Sequence, residues 1–389
     1  MTNETQITCT LTLVHGTRFW FKQVRWIKDG SPFRNYFASH FGSKILIREF
    51  EWSGWNSAGA RYAAGKRLRT HLESLVSDYP QASHFVIGHS HGGTAAVEAL
   101  RNPSLRQHIR GVACLSTPFL EAQPRPYLRE ISWAVAVALA FLIGYFAAFP
   151  LARVTHTFFI EAFMIVAVPA LVPTLLWRRH WQRFALRTVD KIVVPDLQTS
   201  NLLILRVAGD EVSALFGGSR LLAWILAALN ASIARPVAFM MGKRSSLLSV
   251  LARVVVIYAI ATSIAATIIL SLAWVVTTPT DSEVLGDAII LSAMLIFIIP
   301  FLALAAFSVA IPILILSSVV SSPFGTDVGY VGLLVDAVAE PVPPGRWNIV
   351  HVGLVDSEIK AGLRHSAAYD SERVMKVIEA WITSSCAES

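Results

Sequence analysis

"HFVIGHSHGG", residues 84–93, decides how the rest of the chain is read. His84–Ile87 is a short apolar run with strand character. It runs into Gly88-His89-Ser90-His91-Gly92-Gly93, and "GTAAVEALR" then reads as a helix of small residues. A serine with glycine two positions before and two after, between a strand and a helix, fits the G-x-S-x-G pattern. Such a serine sits on a sharp, strained turn that lifts its hydroxyl clear of the sheet. Glycines at 88 and 92 let strand and helix pack closely around it. Ser90 is therefore a candidate nucleophile, and the alternative is a tight glycine turn without chemistry.

Working outward, strand and helix patterns alternate on both sides of this turn. Thr8–Val14 is β-rich and ends at His15-Gly16-Thr17, and Lys44–Phe50 is a second strand. Ala58 to about Val76 has apolar residues three or four apart, the period of a helix. Arg110–Leu115 is a strand closed by "STP". Asn201–Asp210 and Arg346–Gly353 are strands much further along, and Ser371–Thr383 is an amphipathic C-terminal helix. Alternating elements of this kind predict an α/β fold, a doubly wound, mostly parallel sheet covered on both faces.

Two residues beyond these strands complete a chain order Ser…Asp…His. Asp210 follows the strand "NLLILRVAGD", and His365 lies between the last strand and the last helix. In the expected roles His365 takes the proton of Ser90, and Asp210 fixes the imidazole tautomer and stabilises the imidazolium. Glu211 and Asp356 are the alternatives for the acid, and Asp210 is preferred because it directly follows "VAG". The backbone N–H groups of Thr17 and His91 are the candidate oxyanion donors. His15 and Gly16 are read as loop support, and Gly88 and Gly92 as support for the elbow. His89 and His91 adjoin the nucleophile in sequence and are poorly placed to accept its proton.

These segments resemble the α/β-hydrolases of the lipase and esterase kind. "LTLVHGT", "FVIGHSHGG", "LRVAGDEVSAL" and "HSAAYDSERVMKVIEAWI" occur in the order that family uses. "FEWSGWNSAGARYAAGKRL", residues 50–68, also resembles a loop and helix of bacterial lipase-like serine esterases, distantly related to the GPI inositol-deacylase type. The resemblance covers about 1–127, 196–219 and 345–389. It implies hydrolysis of carboxylic esters without a cofactor. No metal site is expected: Cys9, Cys114 and Cys386 have no C-x-x-C spacing, and Cys9 and Cys114 fall in strand-like runs as small core residues.

The middle of the chain has a different character. The chain is 389 residues long, 54% hydrophobic and only 15% charged, with a net charge of +7. No charged residue lies between Glu130 and Arg153, Glu161 and Arg178, Arg253 and Asp281, or Asp287 and Asp327. About 20 apolar residues suffice for a helix to cross a bilayer. The runs are expected to form two transmembrane hairpins, roughly 131–151 with 157–177 and 252–278 with 288–317. Leu221–Ala234, bounded by Arg220 and Arg235, is expected to lie on a surface instead. Because Ser90, Asp210 and His365 must meet, each insert has to cross the membrane an even number of times.

The resulting division is 1–127 for the N-terminal part of the hydrolase domain and 128–180 for the first hairpin. The acid strand and loop occupy 181–219, the surface helix and second hairpin 220–325, and the C-terminal part with His365 326–389. Arginines and lysines crowd the domain-side ends of the runs, from Arg125 and Arg129 to Arg244 and Arg253. Positive-inside bias then puts the catalytic domain in the cytoplasm of a multi-pass inner- or cell-membrane protein. The N-terminus lacks a signal-peptide pattern, which agrees. Trp133, Trp177 and Trp181 are expected as interfacial anchors.

The partners expected are the bilayer and a membrane lipid or other acyl ester. The basic balance lacks the aromatic interleaving of a nucleic-acid surface, so no nucleic acid is expected. An acyl-protein thioesterase and a non-catalytic membrane scaffold with the same fold are the competing readings. A transporter is disfavoured because the runs hold no cluster of ionisable residues.

Overall fold

A computed structural model describes residues 6–18, 25–126, 128–155, 159–195, 197, 200–241, 312–340, 342–343, 345, 347–354 and 364–387. Six strands form one parallel sheet: β1 (Cys9–Val14), β2 (Ile45–Phe50), β3 (Ser83–His89), β4 (Ile109–Leu115), β6 (Leu202–Val207) and β8 (Asn348–Val352). Their order is β2-β1-β3-β4-β6-β8. The described helices are α1 (Pro32–Phe41), α2 (Ala58–Asp78), α3 (His91–Ala99), α4 (Pro103–Arg106), α5 (Leu128–Thr155), α6 (Phe159–Ile192) and α7 (Glu211–Met241). They continue with α8 over 312–321, α9 (Thr326–Tyr330), α10 (Arg364–Ala367) and α11 (Glu372–Ala387). The parallel α/β sheet expected from the sequence is present, with strand ends moved by one to a few residues.

Side chains alternate across the sheet, and each face builds its own core. Leu11, Leu13, Phe85 and Ile87 point to the layer that holds Phe33 and Phe37 of α1 and Ile378 and Ile382 of α11. Val14, Val86, Val112 and Ile204 point the other way, onto Leu68 and Leu72 of α2 and Ala95 and Ala96 of α3. Both faces are dry, which is why these strands are apolar nearly throughout. Cys9 and Cys114 belong to these cores, and burial pushes both thiols up to about 12, so they are unreactive packing residues.

The order of the sheet reverses between β1 and β3: the chain steps outward from β1 to β2 on one side, and from β3 to β4 on the other. In open α/β sheets the crevice beyond the C-terminal ends of the strands at such a switch point is where ligands bind. His15-Gly16-Thr17 leaves β1 there, and Ser90 leaves β3 there.

A second, antiparallel sheet pairs β5 (Phe119–Pro124) with β7 (Val335–Glu340), joining segments far apart in the chain. The sequence reading assigned no strand to either. α9 ties this region to the main domain: the Asp327 carboxylate accepts from the N–H groups of Ala58 and Gly59, both at 2.8 Å, capping α2 together with Ser57.

The apolar segments depart from expectation in three ways. Among the described residues only Glu211–Leu229, with a mean hydropathy of 1.7, is long and apolar enough to cross a membrane, by length and composition. α5 and α6, linked through 156–158, pack on each other, but of these α5 contributes only a shorter apolar stretch, Leu142–Thr155, and α6 none. Two spanning hairpins are therefore not supported. The second pair falls outside the described residues except at 312–317. Next, Leu221–Ala234 is not a separate surface helix. It is the middle of α7, which passes through Arg220 without a break, as arginine is a good helix former; that guanidinium meets Glu340 of β7 at 3.1 Å. Finally, Trp181 is no interfacial anchor: it is 1% exposed, and its indole N–H donates to the carbonyl of Tyr330 at 3.1 Å. The lower half of α6 is an amphipathic helix packed on the domain. Trp181, Ala185, Val189 and Ile192 turn inward, and Arg179, Arg183 and Arg187 face out. Arg125 is likewise buried, paired with Asp336 at 3.3 Å, and does not face a headgroup layer.

Candidate active site

The elbow adopts the strained geometry its glycines require. Ser90 has φ 53° and ψ −134°, one of two described non-glycine residues with positive φ. Such a conformation costs about 1–3 kcal/mol and persists only where the surroundings enforce it. They do so here: Ser90 N–H donates to Leu115 O at 2.8 Å, and Ser90 O accepts from Gly93 N–H at 2.9 Å. A Cβ at Gly88 would lie 2.5 Å from Gly93 Cα, one at Gly92 2.4 Å from the carbonyl oxygens of Val14 and His15, and one at Gly93 2.0 Å from Thr117 Oγ1. At Gly88 and Gly92 the backbones of β1, β3 and α3 touch directly, and at Gly93 α3 meets the Thr117 side chain of the loop after β4.

The turn after β1, which holds the candidate oxyanion donor Thr17, is adjacent. A Cβ on Gly16 would come within 2.8 Å of Ser90 Cβ, so this turn lies against Ser90. Among the described residues nothing accepts from the Thr17 N–H. His91 N–H is in the first turn of α3, where helix amides have no intrahelical partner. His15 organises this loop. Its Nδ1–H donates to Gly16 O at 2.7 Å, its Nε2 accepts from Trp52 N–H at 3.1 Å, and Trp52 Nε1–H donates to His15 O at 2.7 Å. Burial pushes His15 down to about 4, so its ring is neutral at pH 7.

Asp210 and His365 meet. His365 Nδ1 lies 3.1 Å and 3.0 Å from the two carboxylate oxygens of Asp210. Both residues are buried, at 6% and 8% exposure. Burial alone would raise the Asp210 carboxyl. The His365 hydrogen bond and charge, with the N–H groups of Val212 and Ser213 at the start of α7, outweigh it and hold Asp210 below the usual carboxylate range. A charged acceptor on Nδ1 leaves Nε2 bare as the basic nitrogen. The elbow is against this pair, since the rings of His89 and His365 are 4.9 Å apart between centroids.

Two residues set aside in the sequence reading touch His365 directly. Glu211, weighed as a rival acid, accepts from the backbone N–H groups of Arg364 at 3.1 Å and His365 at 3.3 Å. His89, rejected as a base, has its Nε2 2.9 Å from the His365 carbonyl oxygen. Their only signal in the sequence is that each adjoins a triad residue. The other rival acid, Asp356, lies outside the described residues. His91 is buried, with Nδ1 3.4 Å from Thr94 Oγ1, and burial keeps its imidazole well below the ordinary value, aided by the charges of Arg61 and His365. A pocket beside α3, lined by Thr94, Val97, Phe119 and Ile192 among others, is not bounded by Ser90, Asp210 or His365.

Comparisons with known proteins find little overlap. No family model matches the chain, and no curated protein matches it. Among solved structures, the Bacillus licheniformis lipase BlEst2 is 14% identical, with a TM-score of 0.26 over 55% of this chain and 71% of that one. YbtT, a type II thioesterase of the yersiniabactin pathway, is 17% identical over 52% and 74%, with a TM-score of 0.24. A thermophilic esterase from Thermogutta terrifontis is 16% identical over 52% and 72%, with a TM-score of 0.21. Overlap this low leaves the reading of the site to its own residues.

Proposed function

We propose that this chain is a serine hydrolase that cleaves carboxylic esters through an acyl-Ser90 intermediate. The observation that carries the reading is a strained serine at the switch point of a parallel sheet, adjoining a buried His365–Asp210 pair. His365 Nε2 removes the Ser90 proton as Oγ attacks the acyl carbon. The oxyanion that forms accepts from the N–H groups of Thr17 and His91, each worth about 3 kcal/mol of barrier. Collapse expels the alcohol, which takes the proton from His365. Water, deprotonated by His365, then attacks the acyl-enzyme, and collapse releases the acid as His365 returns the proton to Ser90 Oγ. Asp210 stays ionised throughout.

The substrate class we propose is a lipid ester taken from a membrane surface. α7 begins one residue after Asp210 and exposes Leu221, Leu222, Trp224 and Ile225. The exposed Arg179, Arg183 and Arg187 of α6 suit anionic headgroups. If α7 enters the bilayer, the chain must return before His365, because His365 pairs with Asp210. A fluorophosphonate probe tests the chemistry. The wild type is expected to label stoichiometrically and Ser90→Ala not at all, and a folded wild type that resists labelling would remove the hydrolase reading.

A further inference from the structure

We infer that Glu211 and His89 are positioning residues that clamp the peptide of His365 from both ends, so that the base is referenced to the acid and the nucleophile at once. The inference rests on the hydrolase reading above and adds to it two residues that neither attack nor carry the proton.

The need for a clamp follows from where the base sits. Among the described residues His365 lies on one helical turn, α10 (Arg364–Ala367). One turn of helix has almost no stability of its own, because nucleation fixes several dihedrals for a single hydrogen bond. The side-chain bond to Asp210 fixes the imidazole but not the backbone behind it. At the N-terminal side of this turn the Glu211 carboxylate accepts from Arg364 N–H through Oε1 and from His365 N–H through Oε2. At the other side the His365 carbonyl can only accept, so the 2.9 Å contact requires that His89 carry its proton on Nε2 and donate it.

His89 is built for this. It follows Gly88 on β3 and directly precedes Ser90. Its ring meets Tyr369 edge-on at 4.9 Å and Trp26 at 6.3 Å. Burial, reinforced by the nearby His365 charge, pushes it down to about 3, so the ring is neutral and its single N–H is committed to the tether. Glu211 follows Asp210 by one residue, so the acid and the backbone acceptor move as one unit. A displacement of about 1 Å can cost on the order of 100-fold in rate, which sets the scale for losing either tether.

The test is steady-state hydrolysis of p-nitrophenyl butyrate by the full-length chain and its variants. His89→Leu and Glu211→Ala are each expected to lower kcat by about 10- to 100-fold with KM changed by less than about threefold. His89→Gln, which places an amide N–H at similar reach, and Glu211→Gln, which keeps an acceptor, are expected to recover most of the rate. The acidic limb of kcat/KM should move to lower pH in His89→Leu than in His89→Gln, because a loosened imidazole is held less well by Asp210. Glu211 is exposed, so its alanine variant stands as a second arm should His89→Leu fail to fold. Full activity in both truncated variants, or a rise in KM alone, would overturn the clamp while leaving the hydrolase standing. A wild type that hydrolyses no ester, or a fully active Ser90→Ala, would overturn the hydrolase reading and the clamp with it.

Discussion

The sheet and α7 dispose of their apolar side chains in opposite ways. In the sheet Leu11, Leu13, Phe85 and Ile87 are fully buried, whereas on α7 Leu221 and Trp224 are 63% and 70% exposed. At the elbow Gly88 and Gly92 meet backbone and Gly93 meets the Thr117 side chain, all too closely for a Cβ, while Gly217 and Gly218 of α7 would accept a Cβ with nothing within 4 Å. One region is fixed by its own packing. The other leaves apolar side chains exposed among the described residues, and the proposed function assigns lipid to that face. The proposed chemistry belongs to the first region, and α7 starts beside it, at Asp210.

This contrast can be broken at several points, of decreasing size. Ser90→Ala should abolish ester hydrolysis, by about four orders of magnitude or more, while leaving vesicle binding unchanged. Parallel loss of both would mean that the two regions do not divide the work as described. Gly93→Ala should prevent folding or lower stability by several kcal/mol, since its Cβ would lie 2.0 Å from Thr117 Oγ1. An unchanged melting temperature would contradict the tight packing at the elbow.

Stability should also fall with acid, through the sheet region. His15 has an ordinary value of 6.5 and is pushed down to about 4 when folded. Between these values the unfolded chain binds a proton that the folded chain does not, so stability is full above about pH 6.5 and declines toward pH 4. His15 alone accounts for roughly 3 kcal/mol of that decline. Denaturant midpoints at pH 7, 5.5 and 4 measure it, and a flat profile would argue against a buried neutral His15.

On α7, replacing Leu221, Trp224 and Ile225 by serine should weaken binding to phosphatidylglycerol vesicles by about tenfold or more, with hydrolysis of a soluble short-chain ester unaffected. Equal loss of both activities would merge the two regions. The smallest effect is Gly217→Ala, expected to stabilise α7 by about 0.5–1 kcal/mol in a thermal melt.

What the sequence disclosed follows the same division. Strands whose two faces are both buried carry a local apolar signature, and the elbow, Asp210 and His365 announce themselves by residue type and order. β5 and β7 do not, because "FLEAQP" and "VDAVAE" become strands only by pairing with each other across the chain. The ends of α7 are not legible from Arg220, because a charged residue on an exposed helix face does not end a helix. Trp181 stands at the domain-side end of an apolar run, where an anchor is expected, but periodicity along α6 turns it inward. Glu211 and His89 were seen only as rivals for roles in proton transfer. Their contacts are to the backbone of a residue more than 150 positions away, which no local pattern reports.

The central claim is that Ser90 carries the acyl group. The most direct measurement is to quench turnover of a slowly deacylating p-nitrophenyl ester with acid, digest the full-length protein, and weigh the peptide that contains residues 84–93. The account predicts a mass increase of one acyl group on Ser90, formed in a burst with one equivalent of nitrophenolate. Steady hydrolysis with an unmodified Ser90 peptide, or an acyl group on a different serine, would contradict it.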